Sequence, residues 1–135
     1  MTEKQILETS DQIFQAIFGR PNPWTLAELE RKMAFDIKLP TKVKDSVTGT
    51  ETYSAMPNAK SFITIPNIEA RDKTSGWLLP KRKIKNLDDI LAIWRSINYT
   101  TTERVYDSEN VTASDPIYGS TNVYKSTNCG ECNHI

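Results

Sequence analysis

Two N-terminal stretches of the chain place apolar residues at the spacing of an amphipathic helix. The first covers residues 2–18 and is followed by Gly19, which suits the left-handed position after a helix. The second is shorter and ends near Ala34. Both begin with a threonine, Thr2 and Thr25, that has Gln or Glu three positions later, and this spacing is typical of a capping box.

The middle of the chain changes to a period of two. Apolar and charged residues alternate over residues 35–39, which predicts a strand. Residues 41–66 are rich in Val, Ile, Thr and Ser and are expected to be β, with Thr48 and Gly49 in a turn. Residues 67–80 lack either period, so we expect them to be irregular.

A third helix is predicted over residues 86–97. Asn86 can cap it, and two aspartates follow in its first turn, where they complement the helix dipole. Its apolar side chains recur at helical spacing: Leu87, Ile90, Leu91, Trp94 and Ile97. We expect this face to pack against the preceding β segment through Trp94.

The C-terminal part of the chain repeats every six residues from Ser96 onward. The first place of each unit is Ser, Thr or Cys, the third is mostly Asn, and the fourth is apolar. The apolar series reads Tyr99, Val105, Val111, Ile117, Val123, Cys129 and Ile135. Asn tolerates the left-handed conformation that a corner needs, and short repeats of this kind bury their apolar residues only by stacking.

This spacing resembles that of the hexapeptide-repeat β-helix proteins, over residues 99–135 only. The resemblance implies a β-solenoid, and three hexads in one coil would stack Tyr99 over Ile117 over Ile135. Left-handed members have a small residue four places after each aliphatic one, where this chain has larger or charged residues, so the handedness stays open. Many members are acyltransferases, but no catalytic residue of theirs has a counterpart here.

The predicted fold class is therefore α+β. Residues 1–98 would form a helical and β capping region, and residues 99–135 would start a β-solenoid on the six-residue repeat. The chain stops at Ile135 on an apolar rung with no capping segment. Either the sequence is the front part of something longer, or its open edge stacks on a partner.

Composition narrows the functional classes. Seventeen Lys and Arg balance 17 Asp and Glu, so the formal net charge is zero, which argues against a nucleic-acid partner. No apolar run is long enough to cross a bilayer and no signal peptide is visible, so we expect no membrane partner and a cytoplasmic location. The basic cluster Lys81-Arg82-Lys83 with Lys85 could contact phosphate or anionic lipid, but a solvated charge run is the favoured interpretation.

Candidate chemistry is confined to the C-terminus. Cys129 and Cys132 form a CxxC pair, and His134 follows. These three are candidate zinc ligands, or the two thiols are a candidate redox pair. The favoured alternative is that both cysteines fill solenoid positions, so no cofactor is required.

The leading functional prediction is a non-enzymatic interaction or scaffold module. It would bind a protein partner or a second copy through the open solenoid edge near residues 117–135 and the apolar face of helix 2–18, with Ile117, Val123 and Ile135 as the partner-binding residues. Two alternatives remain: a zinc- or thiol-dependent small protein, and the N-terminal part of a longer β-helix enzyme. Whether the protein is itself an enzyme is left open.

Overall fold

The computed structural model describes residues 2–56 and 58–135, and within them the chain is α+β. The helices are α1 (Glu3–Phe18), α2 (Leu26–Met33), α3 (Ile65–Lys73) and α4 (Leu87–Ile97). The strands are β1 (Thr41–Lys44), β2 (Glu51–Ser54), β3 (Phe62–Thr64), β4 (Thr100–Thr102), β5 (Val105–Tyr106), β6 (Glu109–Thr112), β7 (Ile117–Tyr118), β8 (Thr121–Tyr124) and β9 (Cys129–Gly130).

The first two helices form as the sequence predicts. Thr2 and Thr25 each cap a helix in a complete capping box, and Gly19 ends α1 in the left-handed conformation with φ 67°. The two helices meet through Phe14, which is buried, and the ring of Trp24 packs on it edge to face at 5.2 Å. Local capping and one aromatic contact thus fix a helical hairpin.

An antiparallel hairpin of β1 and β2 follows, and Asp45 organises its turn. Asp45 is 1% exposed, and one of its carboxylate oxygens accepts the backbone amides of Val47 and Thr48 at 2.7 and 2.9 Å. The other oxygen accepts the amide of Thr64 and the side chain of Asn67, both at 2.8 Å. One buried carboxylate therefore joins the hairpin turn to β3 and α3.

Two predictions for this region are wrong. Residues 35–39 form a turn and extended chain instead of a strand, and Phe35 is 83% exposed. Residues 65–73, most of which were expected to be irregular, form α3, with Pro66 in its first turn. A proline there costs no hydrogen bond, because the first amides of a helix have no partner within it.

The C-terminal strands pair in parallel at an offset of 12 residues. Val105 lies beside Ile117 and Ile117 beside Cys129 in the sheet β5-β7-β9, while Val111 lies beside Val123 in the sheet β6-β8. Ile117 and Val123 are 0% exposed, and with Cys129 they form a common core. The expected stacking of residues 18 apart is therefore wrong: two hexads, not three, separate equivalent positions.

Residues with positive φ recur along the parallel strands and the turns between them. They occur at every third residue from Asp107 to His134, except at Pro116. The remaining members of this series are Asn110, Ala113, Gly119, Asn122, Lys125, Asn128 and Glu131. Each hexad thus contains two places where the chain turns.

Serine side chains connect each parallel strand with its neighbour 12 residues along the chain; we call each strand with its flanking residues a rung. The Ser120 hydroxyl donates to the carbonyl of Tyr118 at 2.8 Å and accepts the amide of Cys132, 12 residues later, at 3.1 Å. The amide of Ser120 donates in turn to the Ser108 hydroxyl at 2.9 Å, and Ser126 donates to Ser114 at 3.0 Å. The Ser place of the hexad therefore holds neighbouring rungs together.

The N-terminal half covers the upstream side of these strands. The side chain of Asp115, 0% exposed, accepts the backbone amide of Ala55 at 3.1 Å and the backbone and guanidinium of Arg104 at 3.0 and 2.9 Å. The side-chain hydrogen bond from Arg104 to Asp115 raises the pKa of the guanidinium. Thr102 in β4 bonds Thr52 in β2 at 2.9 Å, so the β1–β4 region closes this end.

Helix α4 forms over the predicted range, and Asn86 caps it through the amide of Asp89 at 2.9 Å. Its predicted packing is wrong. None of its residues is buried, and Trp94, the expected anchor, is 58% exposed.

Candidate docking site at the end of the parallel strands

Within the described residues, no strand pairs with the downstream side of β9. Strand β9 is the last strand of its sheet, and the amides of Cys129 and of Glu131, just after the strand, donate to the carbonyls of Pro116 and Tyr118 at 3.3 and 3.0 Å. Because alternate residues of a strand point to opposite sides, the amide of Gly130 faces away from β7. We call the face formed by residues 129–135 the open end.

The predicted partner-binding residues do not share one surface. Ile117 and Val123 have no exposed area and fill the interior between the two sheets. Ile135 is 50% exposed at the open end. Of the three, Ile135 alone is positioned to touch another molecule.

A groove lies beside the open end, between the helical hairpin and the last rung. Its cavity volume is about 310 Å³. The lining residues are mostly apolar: Ile6, Thr9, Ser10, Ile13, Phe14, Leu29, Met33, Tyr124, His134 and Ile135. The helical hairpin therefore extends the apolar surface around Ile135.

One charged contact holds α2 against the rungs. Glu30 accepts from the ammonium of Lys125 at 2.6 Å and from the Tyr124 hydroxyl at 3.4 Å. Burial and the adjacent Glu30 carboxylate raise the pKa of Tyr124 to about 12. The tyrosine therefore stays a neutral donor near neutral pH.

Of the three predicted zinc ligands, Cys129 and Cys132 lie near each other, and Cys132 packs against the core cluster that contains Cys129. The Cys129 thiol is buried in the core, directed at the carbonyl of Thr127, and burial raises its pKa. The Cys132 thiol donates to the carbonyl of Gly130 at 3.1 Å, and the His134 ring lies against Asn122 at 3.4 Å. Among the described residues, no three His, Cys, Asp or Glu side chains are grouped closely enough to hold a metal ion.

Cys132 occupies the place that serine has in the earlier rungs. We expect Cys132→Ser to change the free energy of unfolding by less than about 0.5 kcal/mol, because a serine hydroxyl can donate to the same carbonyl of Gly130. Urea unfolding measures the stability, and elemental analysis before and after the substitution measures bound zinc. Stoichiometric zinc lost from the variant would contradict the assignment of Cys132 to the rung.

The groove was predicted only in part. The apolar face of helix 2–18 was included in the predicted partner surface, and Ile13 on that face is 51% exposed. Met33 was assigned to the apolar face of the second helix and is 63% exposed. A helical pattern shows which side of a helix is apolar but not which element lies opposite, so the position of α2 beside the end of the repeat was not predicted.

Comparisons with protein-family models, curated proteins and solved structures find no match to this chain. Among the described residues, none of the helices is long and apolar enough to cross a membrane.

Proposed function

We propose that the protein is a non-enzymatic assembly module whose C-terminal segment is the start of a β-solenoid with 12-residue coils. The parallel offset of 12 residues, repeated in both sheets, supports this interpretation. A cytoplasmic location belongs to the same proposal, since both cysteines are free thiols.

The proposed assembly role rests on a difference between the upstream and downstream ends of the parallel strands. The upstream end is covered through Asp115 and Thr102, whereas the downstream end leaves the Gly130 amide and half of Ile135 exposed. An unpaired strand edge with apolar flanks is a template for another strand.

This difference between the two ends indicates how a second copy of the chain would bind. Head-to-tail stacking of a second copy is disfavoured, because the β1–β4 region lies over part of the upstream end. It can pair open end to open end, with β9 antiparallel to the β9 of its twin about a two-fold axis. We therefore propose a closed dimer rather than a filament.

Gly130 provides a test with a matched control. Gly130→Pro removes the outward amide while leaving the ladder to β7 intact, and Gly130→Ala keeps the amide, with nothing within 4 Å of the added Cβ. We expect the wild type to dimerise at tens of micromolar, the proline variant to bind at least about tenfold more weakly, and the alanine variant to match the wild type.

Sedimentation velocity over a concentration series measures these affinities. A wild type that stays monomeric at these concentrations would refute the dimer. Equal dimerisation of the proline and alanine variants would place the interface elsewhere. Growth beyond the dimer would contradict the two-fold arrangement.

A further inference from the structure

A second exposed surface combines apolar and basic residues around α4. We call it the α4 patch. Its apolar members are between 39% and 78% exposed: Leu78, Leu79, Ile84, Leu87, Ile90, Leu91 and Trp94. Its basic members are the exposed cluster Lys81, Arg82, Lys83 and Lys85. It lies outside the open end on which the proposed function rests.

The basic loop leads directly into the helix, since the Lys85 amide donates to the Asp89 carboxylate in the first turn of α4 at 2.8 Å. Leu79, Pro80 and Arg82 of the loop share a small cavity of about 70 Å³ with Ser96 of α4, so the loop runs back along the helix. At its start the loop is anchored by Arg71, whose guanidinium lies 4.5 Å from the ring of Trp77 and 5.0 Å from that of Tyr99. These contacts fix the start of the loop, and the basic cluster at its end directly precedes Leu87, the first apolar residue of α4.

The charge of the patch is positive on balance. Four cations lie within five consecutive positions, and Arg95 adds a fifth on α4. None of the five forms a salt bridge with another described residue. Two acids oppose them: Asp88 is exposed, and the Asp89 carboxylate accepts the backbone amide of Lys85 at 2.8 Å.

We propose that the α4 patch binds the surface of an anionic phospholipid bilayer. Headgroup phosphates attract the cations, and the acyl boundary accepts the apolar side chains, including Trp94 at the interface. A second copy is disfavoured, because two such patches would bring like charges together.

The shape of the patch favours a bilayer over a folded partner. The helix is convex, and the cavity beside it, at about 70 Å³, is too small to receive a large side chain of a partner. A fluid surface needs no complementary groove. The sequence-based expectation of no membrane partner rested on the lack of a bilayer-spanning apolar run and of a signal peptide, and neither bears on a helix that lies on the bilayer surface.

Vesicle co-sedimentation tests the proposal with the full chain. We expect binding to phosphatidylcholine vesicles that contain about 30% phosphatidylserine at roughly 0.1 M salt, and little binding to pure phosphatidylcholine. Lys81→Gln with Lys83→Gln should weaken binding about tenfold or more. The matched control, Lys38→Gln with Lys44→Gln, changes two exposed lysines outside the patch and should leave binding unchanged.

The apolar contribution is tested separately. Leu91→Ser with Trp94→Ser should reduce binding about tenfold or more, because those side chains would enter the acyl boundary. Phe35→Ser with Ile37→Ser changes two apolar residues elsewhere that are at least half exposed and serves as the control. Circular dichroism melts check that all four variants fold.

Two results would overturn the proposal. One is no vesicle binding by the wild type, and the other is equal binding to neutral and anionic vesicles. In the first case, heparin binding that is lost in Lys81→Gln with Lys83→Gln would indicate a polyanionic partner instead. None of these outcomes bears on dimerisation through Gly130.

Discussion

Replacing Ile117 by alanine is expected to lower the free energy of unfolding by about 3–4 kcal/mol. Ile117 is 0% exposed and lies between Val105 and Cys129 in the central strand of its sheet. The neighbouring rungs are held by hydrogen bonds such as that from Cys132 to Ser120, so the cavity cannot simply close. Urea unfolding monitored by circular dichroism measures the change.

The control for Ile117 is the same substitution in α4. Ile90 belongs to the strongest helical pattern in the sequence, yet it is 48% exposed. Ile90→Ala should cost less than about 1 kcal/mol, since little area is lost and alanine favours the helix. Comparable decreases in the free energy of unfolding for Ile117→Ala and Ile90→Ala would mean that Ile117 does not fill a packed interior.

The six-residue repeat was predictable because its inward side chains are chemically distinct. Val111, Ile117 and Val123 stand among polar residues, and the structure places the latter two in the core. The number of hexads between stacked positions was not predictable. The sequence marks one corner per hexad through residues such as Asn122, whereas the backbone turns at every third residue.

The unmarked corners explain the error in the predicted offset. Lys125 and Glu131 adopt positive φ, at 46° and 54°, although neither residue type signals a turn. With two corners per hexad, the chain returns to the same side after 12 residues rather than 18. Stacking of the rungs, not local preference, holds these residues in the left-handed region.

Helix positions were predicted better than helix surroundings. The capping residues Thr2, Thr25 and Asn86 all occupy the predicted caps, because capping depends on residues within one turn. Burial depends on elements that are distant in sequence or on another molecule. The apolar pattern of α4 therefore predicted the helix correctly, but the predicted packing of its apolar face against the β segment is wrong.

Helix α3 was missed for a related reason. Pro66 follows a β-prone run, and it was interpreted as the end of a strand. In the structure it both follows β3 and lies in the first turn of α3. Asn67, one residue later, reaches back to Asp45 at 2.8 Å, a contact between residues 22 apart that no local pattern shows.

Asp45 gives the second large expected effect. Asp45→Asn should lower the free energy of unfolding by about 2–3 kcal/mol at neutral pH. Its carboxylate accepts four hydrogen bonds, and an asparagine would place its own donor against the amide of Thr64 or the side chain of Asn67. The matched control is Asp36→Asn, which changes an exposed aspartate in a turn and should have little effect.

The pH dependence of stability tests whether the negative charge of Asp45 causes the expected loss in Asp45→Asn. Burial raises the pKa of Asp45, but the hydrogen bonds from Asn67, Thr48, Thr64 and Val47 outweigh burial and hold the pKa well below its usual value. A depressed folded-state pKa stabilises the protein above the unfolded-state pKa of about 4, and this contribution is lost as the pH falls below it. The stability gap between wild type and Asp45→Asn should therefore shrink from pH 7 to pH 3, as measured by urea unfolding at each pH. A gap that stays constant over this range would show that the ionised carboxylate is not what joins the hairpin turn to β3 and α3.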